Sequence, residues 1–367
     1  MKDYLSLLIA IQNNPFGTTD ELSSESDISK PTVIKRLRVL QGEKRLIPEE
    51  DPKKYFSVKP ILNYSALGLE PVDILAETSD LQSTEILENV AYEHPYTAYR
   101  SRCFGNPNGV LFQFRTPAGT SNLIQELFEI LWNRGTISGY HILPVKDSIL
   151  RYTSMQLTGW NENDSRWEFD WKRWFKASTR KRVESHKTST SVLETLTKDD
   201  LHILRELMVD SRRKNLEIIE QLAQRGVDFT PQTYSRHQQM IKDQCTLGFR
   251  VAIDPEPFDV LTNLLVIGTA DSEYLQELVA KTQFIPFPFE STIRISNNHL
   301  FWYIRLNQDH VSPLLNGLFE KIENMRVCFL DYRNSFLYNI WPDAFDEEEK
   351  EWRVDRAFMI DRVTDSL

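Results

Sequence analysis

The side chains best placed for chemistry lie in two stretches, and the chemistry is contact with phosphates and base edges. Ser29-Lys30-Pro31-Thr32 and Thr230-Pro231-Gln232-Thr233 each set a hydroxyl residue and a proline at the start of a helix. Ser and Thr accept orphan N–H groups of a first turn, and proline loses nothing there. After the first stretch Val33, Leu37 and Leu40 recur at helical spacing and predict a buried stripe. The opposite face presents Thr32, Lys35 and Arg38, with Lys30 and Arg36 flanking. Ser29 to Leu46 holds six Lys/Arg and one acid, in a chain of net charge -10. Such a local inversion of sign is what phosphate contact requires.

The elements that must position this helix form a three-helix module over residues 1–60, closed by a strand–turn–strand wing from Arg45 to Val58. Lys53 and Lys54 would stand at the wing tip, within reach of neighbouring backbone. Residues 61–160 then read β-α-β-β-α-β: strands near 72–76, 97–104, 110–115 and 137–143, helices over 82–93 and 121–133. That order is the ferredoxin-like split βαβ.

The organisation then repeats. Residues 195–255 form a second helical module and 256–345 a second β-α-β-β-α-β unit, with a tail over 346–367. Asp147-Ser148-Ile149-Leu150 matches Asn334-Ser335-Phe336-Leu337, and Trp167-Glu168-Phe169-Asp170 matches Trp352-Arg353-Val354-Asp355. The fold class is therefore α+β, two winged helix–turn–helix modules and two ferredoxin-like modules in tandem. Between the copies, residues 161–194 read as a Trp-rich basic ribbon followed by a linker. The second reading helix is weaker. It exposes Gln232, Thr233, Arg236 and Gln239, buries Tyr234 and Ile241, and Thr230 to Asp254 holds three Lys/Arg against two acids. Arg212-Arg213-Lys214 would add phosphate contacts.

The first module, with Glu21-Leu22 in its second helix and Ser29-Lys30-Pro31-Thr32-Val33 opening its third, resembles the N-terminal domain of the Lrp/AsnC transcription regulators. Gly248-Phe249-Arg250-Val251-Ala252-Ile253-Asp254 is similar to that family's wing strand. The resemblance covers nearly the whole chain as a tandem fusion of archaeal type. It implies double-stranded DNA as partner, pairing of the two sheet domains within one chain, and a homodimer as a further option. A small-molecule effector is in doubt, because the turns Gly105-Asn106-Pro107-Asn108-Gly109 and Asn297-Asn298 both lack the family's Gly-x-Tyr-Asp pattern.

Other chemistries find less support. Cys103, Cys245 and Cys328 lie far apart, and the seven histidines show no metal-ligand spacing, so no metal or cofactor is expected. No apolar run reaches a membrane-spanning length, and a cytoplasmic location is expected. Trp160, Trp167, Trp171 and Trp174 beside Lys172-Arg173 could stack single-stranded bases, but a structural ribbon explains them better, because the matching stretch carries the acidic run Asp346-Glu347-Glu348-Glu349. A haem-biosynthesis decarboxylase, a kind of enzyme that also pairs such units, is a minor alternative, since no His and Arg cluster is evident on a common face. The sequence reading is thus a non-enzymatic DNA-binding regulator. A DNA-free assembly or small-molecule sensing scaffold is the competing class.

Overall fold

The computed structural model of the protein describes residues 1–46, 51–146, 148–183, 190–365 and 367. Pro48 of the expected wing, Asp147 of the matched tails, and Glu184, His186 and Lys187 of the linker lie outside them.

The first module contains α1 (Leu5–Asn13), α2 (Thr19–Ser26) and α3 (Lys30–Leu40). A reciprocal capping box between Thr18 and Glu21 starts α2, and Asp27, left-handed at φ 55°, ends it. Val33, Leu37 and Leu40 are buried as their spacing requires. There follow β1 (Phe56–Leu62), β2 (Leu69–Glu77), α4 (Leu81–Glu93), β3 (Thr97–Gly105), β4 (Gly109–Pro117), α5 (Ser121–Asn133), β5 (Gly139–Ile142) and β6 (Ser148–Thr153). A small ribbon, β7 (Trp160–Asn161) and β8 (Arg166–Trp167), leads into α6 (Trp171–Lys176).

The second copy comprises α7 (Lys198–Asp210), α8 (Asn215–Ala223), α9 (Pro231–Met240), β9 (Thr246–Ile253), β10 (Thr262–Thr269), α10 (Ser272–Phe284), β11 (Glu290–Ser296), β12 (His299–Leu306), α11 (Val311–Phe319) and β13 (Glu323–Leu337). It ends in the ribbon β14 (Phe345–Asp346) and β15 (Glu351–Trp352).

Nine strands form one sheet in the order β5-β2-β4-β3-β13-β10-β12-β11-β6. Numbered within each copy, both halves read 4-1-3-2, the ferredoxin-like order. The halves are joined reciprocally. The end of β13 (Ser335 to Leu337) pairs with β3 of the first copy, and β6 pairs with β11 of the second. Each Trp ribbon likewise docks on the other copy: Trp167 Nε1 donates to Phe258 O at 2.9 Å, and Trp352 Nε1 to Leu67 O at 2.7 Å. One chain thus builds what two subunits would otherwise build. Among the described residues no helix is long and apolar enough to cross a membrane.

The wing is the main correction to the sequence reading. Among the described residues 41–55 there is no strand. The strand that follows them, β1, pairs along its length with β9 of the other copy, Phe56 opposite Ile253 and Lys59 opposite Arg250. Alternation explains the preference. Phe56, Val58 and Leu62 are buried, and that apolar face needs a partner with the same pattern. The matching strand of the second copy supplies it, and the shared ribbon bridges the two helical modules.

Candidate functional site

The sequence-derived reading helices come first. On α3, Lys30 is held by Asp20 at 2.8 Å, Arg38 by Glu43 at 2.9 Å, and the Arg36 guanidinium lies 5.6 Å from the Tyr4 ring centre. The Thr32 hydroxyl shares a hydrogen bond with Ser29, and Lys35 is exposed. The expected wing-tip cations are tied to the second copy. Lys53 pairs with Asp254 at 2.8 Å and with Glu256, and Lys54 with Asp210, all acids of the second copy. Burial would lower the Lys53 pKa, but these two carboxylates raise it above the ordinary value. On α9 the Thr233 N–H is taken by the Thr230 cap, Gln239 donates to Asp243, and Gln232 and Arg236 are exposed. Arg212 does not face outward as expected. It donates to Pro15 O at 2.6 Å and Gly17 O at 2.8 Å, tying the two modules together, and Arg213 pairs with Glu206 at 2.9 Å. Trp171 and Trp174 are 3% exposed and pack with Phe287 and Phe289, so they are core rather than a base-stacking platform.

A second site lies where sequence reasoning found none. Under the β1–β9 ribbon, and over strands of both copies, is a partly open cavity of about 200 Å³. Lys59 and Arg250 come from the ribbon. Arg115 comes from β4, Arg305 from β12, Glu290 from β11, and Tyr99, Tyr152 and Tyr303 from β3, β6 and β12. The charged lining is four cations and one acid. Repeat geometry produces the convergence. Glu77–Gly109 and Thr269–His299 close equivalent strand pairs. Six residues beyond Gly109 and His299 stand Arg115 and Arg305, in matching positions of the two halves.

The two arginines have different surroundings. Arg305 pairs with Glu290 at 3.1 Å, and Arg250 holds the other Glu290 oxygen at 3.2 Å. Burial alone would raise the Glu290 pKa, but Arg305 and Arg250 outweigh it and the carboxyl stays below its ordinary value. Arg115 is 7% exposed, and its Nε has no hydrogen-bond partner. One terminal nitrogen donates to Phe114 O at 2.7 Å, another to the Tyr152 hydroxyl at 3.3 Å, and the group lies 5.0 Å from the Tyr64 ring centre. Behind it Asp73 is shared, 3.7 Å from Arg115 and 3.1 Å from the fully buried Arg294. Burial pushes the Tyr152 hydroxyl up to about 12, so it remains a proton donor at neutral pH.

Burial, and then the Arg250 charge, lower the Lys59 pKa below 10.5. The folded state therefore disfavours the charged lysine. That destabilisation is complete below the folded pKa and vanishes as pH rises to the unfolded value. Lys59→Met is expected to be more stable than the wild type at neutral pH, with an advantage that shrinks toward pH 10.5. Denaturant titrations at several pH values check this, and an advantage independent of pH would refute it.

No family model matches the chain, and no curated protein matches it. The chain is similar to the solved siroheme decarboxylase NirDL, at 13% identity over 99% of both chains, with a TM-score of 0.51. A second structure of that decarboxylase, with an iron-uroporphyrin III analogue, aligns at 13% identity over 89% of this chain and 90% of the other, TM-score 0.49. The leucine response regulatory protein LrpA of Mycobacterium tuberculosis aligns at 17% identity over 39% of this chain and 92% of its own, TM-score 0.23. The full-length likeness shows the fold. It also corrects the expectation of a non-enzymatic protein, because a structure with the same full-length arrangement is an enzyme. Where the sequence made no His and Arg cluster evident on a common face, the cavity gathers Arg115, Arg250 and Arg305, with no histidine in its lining. A signal for it did exist: both copies carry a lone arginine near the end of an apolar strand, in Phe112-Gln113-Phe114-Arg115 and Trp302-Tyr303-Ile304-Arg305.

Proposed function

We propose that the protein is an enzyme that binds a carboxylated ligand in the cavity under the β1–β9 ribbon, and that its reaction is decarboxylation of a tetrapyrrole side chain. The observation that supports this most is the cavity's four cations against one acid inside a chain of net charge -10. Cations held in a partly desolvated site attract carboxylate far more strongly than they would in water. The tyrosines beside them stay protonated and supply hydrogen to the carbon that CO2 leaves, so that R–CH2–COO⁻ and a proton give R–CH3 and CO2. A cavity of about 200 Å³ admits one carboxylate-bearing edge of a macrocycle, whose body then rests at the mouth. The fold likeness to a siroheme decarboxylase supports the choice of tetrapyrrole among carboxylates. Titration with siroheme should shift its visible absorbance, and incubation should release product lighter by CO2. An unchanged spectrum across the titration would end the tetrapyrrole assignment.

Duplex DNA binding is the second reading. It is supported by the proline-started helix α3 and its exposed Lys35, with Arg236 exposed on α9. The ion pairs on Lys30, Lys53 and Lys54 predict a small footprint. With Lys35 and Arg36 as the phosphate contacts of α3, and Arg38 held by Glu43, the slope of log K against log salt should be about -2. A slope of about -6 or steeper would show that the paired cations also reach DNA.

A further inference from the structure

We propose that Glu290 is a specificity residue: its own carboxylate fills the seat that Arg250 and Arg305 would offer a ligand, which leaves Arg115 as the one arginine seat for a ligand carboxylate. The proposal rests on the carboxylate-binding reading above and narrows it to a ligand that enters in one orientation.

The two halves of the cavity are related by the repeat but are not equal. Arg305 faces Glu290 across the β11–β12 pair. Both oxygens of that carboxylate are engaged, one by Arg305 and one by Arg250, which arrives from the ribbon above. A carboxylate between two guanidinium groups is the arrangement a bound ligand would adopt. Here the protein supplies the carboxylate itself.

At Arg115 the corresponding neighbour is not acidic: it is Tyr96, just before β3, whose carbonyl accepts the Arg115 backbone N–H at 2.9 Å, and the adjoining residue is Thr97. The only acid behind Arg115 among the described residues is Asp73, which also serves Arg294. Arg115 is nine-tenths buried, lines the cavity, and keeps its Nε without a partner. An incoming carboxylate therefore finds Arg115 with no acid inside the cavity on one side, and on the other two guanidinium groups whose facing donors Glu290 already occupies. Discrimination by a built-in repulsive group is a general route to specificity. The ligand edge that meets Glu290 must carry no carboxylate, or must displace it.

The test uses the full chain and two small acids, benzoate with one carboxylate and isophthalate with two, measured by calorimetry. The wild type should bind both with affinities within about threefold of each other. Glu290→Gln should strengthen isophthalate by about tenfold or more and leave benzoate nearly unchanged. Glu290→Asp, which keeps the charge, should behave like the wild type, and Arg115→Gln should weaken both acids by about tenfold or more. Thermal unfolding establishes that each variant folds, and Glu290→Ala replaces Glu290→Gln if the latter does not. A wild type that prefers isophthalate tenfold, a neutral Glu290 variant with an unchanged ratio, or absence of binding to both proteins would each overturn the proposal. Siroheme failing to bind while the small acids follow this pattern would reject the tetrapyrrole alone.

Discussion

Asp73→Ala is expected to destabilise the protein by about 3–5 kcal/mol. Asp73 lies on β2, 2% exposed, between two arginines that are themselves buried. Removing it leaves the Arg294 and Arg115 charges facing each other without a counterion. Breaking a buried pair by deleting one partner is far more costly than deleting both. Arg294 has little else to lean on, since none of its guanidinium nitrogens has a well-aligned hydrogen bond, and its Asp73 contact is close but misaligned. The repeat supplies the control. Four residues in from the closing pairs, Asp73 stands opposite Gln113 while Leu265 stands opposite Tyr303. The second copy thus fills the matching position with an apolar side chain in the small core that Leu265 shares with Leu75, Leu111 and Phe301. Asp73→Leu combined with Arg294→Met should therefore recover part of the loss, the remainder being the Arg115 charge still without its acid. Urea unfolding with an unchanged m-value measures both. A single variant costing under about 1 kcal/mol would mean that water already neutralises the arginines.

The architecture was legible where patterns are local. The start of α3 could be read from Ser29 and Pro31, because first-turn signals act locally, although the Ser29 hydroxyl meets that of Thr32 rather than capping a backbone N–H. The order β-α-β-β-α-β followed from periodicity, and the 4-1-3-2 arrangement followed from that order. The matched tails and Trp ribbons pointed to duplication, and each docks reciprocally on the other copy. What failed was non-local. The apolar alternation of Phe56, Val58 and Leu62 says that a strand needs a partner, but not that the partner lies about 190 residues away in β9. A strand read as half of a local wing carries Lys53 and Lys54 outward, whereas the observed pairing carries them to Asp254, Glu256 and Asp210. The cavity escaped notice for the same reason. Arg115 and Arg305 sit alone in apolar strands 190 residues apart, and only the swapped edges and the roof ribbon bring them to one space.

Arg115→Met is expected to lower affinity for a carboxylate ligand by about 30–100-fold while leaving the fold as stable as before, or more so. Both halves of that expectation follow from the same surroundings. A charge-assisted hydrogen bond to carboxylate contributes about 1.5–3 kcal/mol in a partly desolvated site, and Arg115 is the lining arginine whose acid partner stands farthest off, at 3.7 Å. Burial works against its charge, while the neighbouring Tyr152, Tyr64 and Asp73 raise its pKa, so it stays cationic at any ordinary pH. Stability behaves differently from the Asp73 case. Removing Arg115 leaves the Asp73–Arg294 pair intact and relieves a buried nitrogen that lacks a partner. Methionine also fills much of the same volume beside Tyr64 and Tyr152. A residue kept for function rather than for the fold should show this separation of binding from stability. Parallel calorimetry and denaturant unfolding of the one variant decide it. If affinity and unfolding midpoint fall together, Arg115 is a strut of the fold and the cavity loses its principal anchor. If affinity falls alone, the cation that the fold can spare is the one the ligand needs.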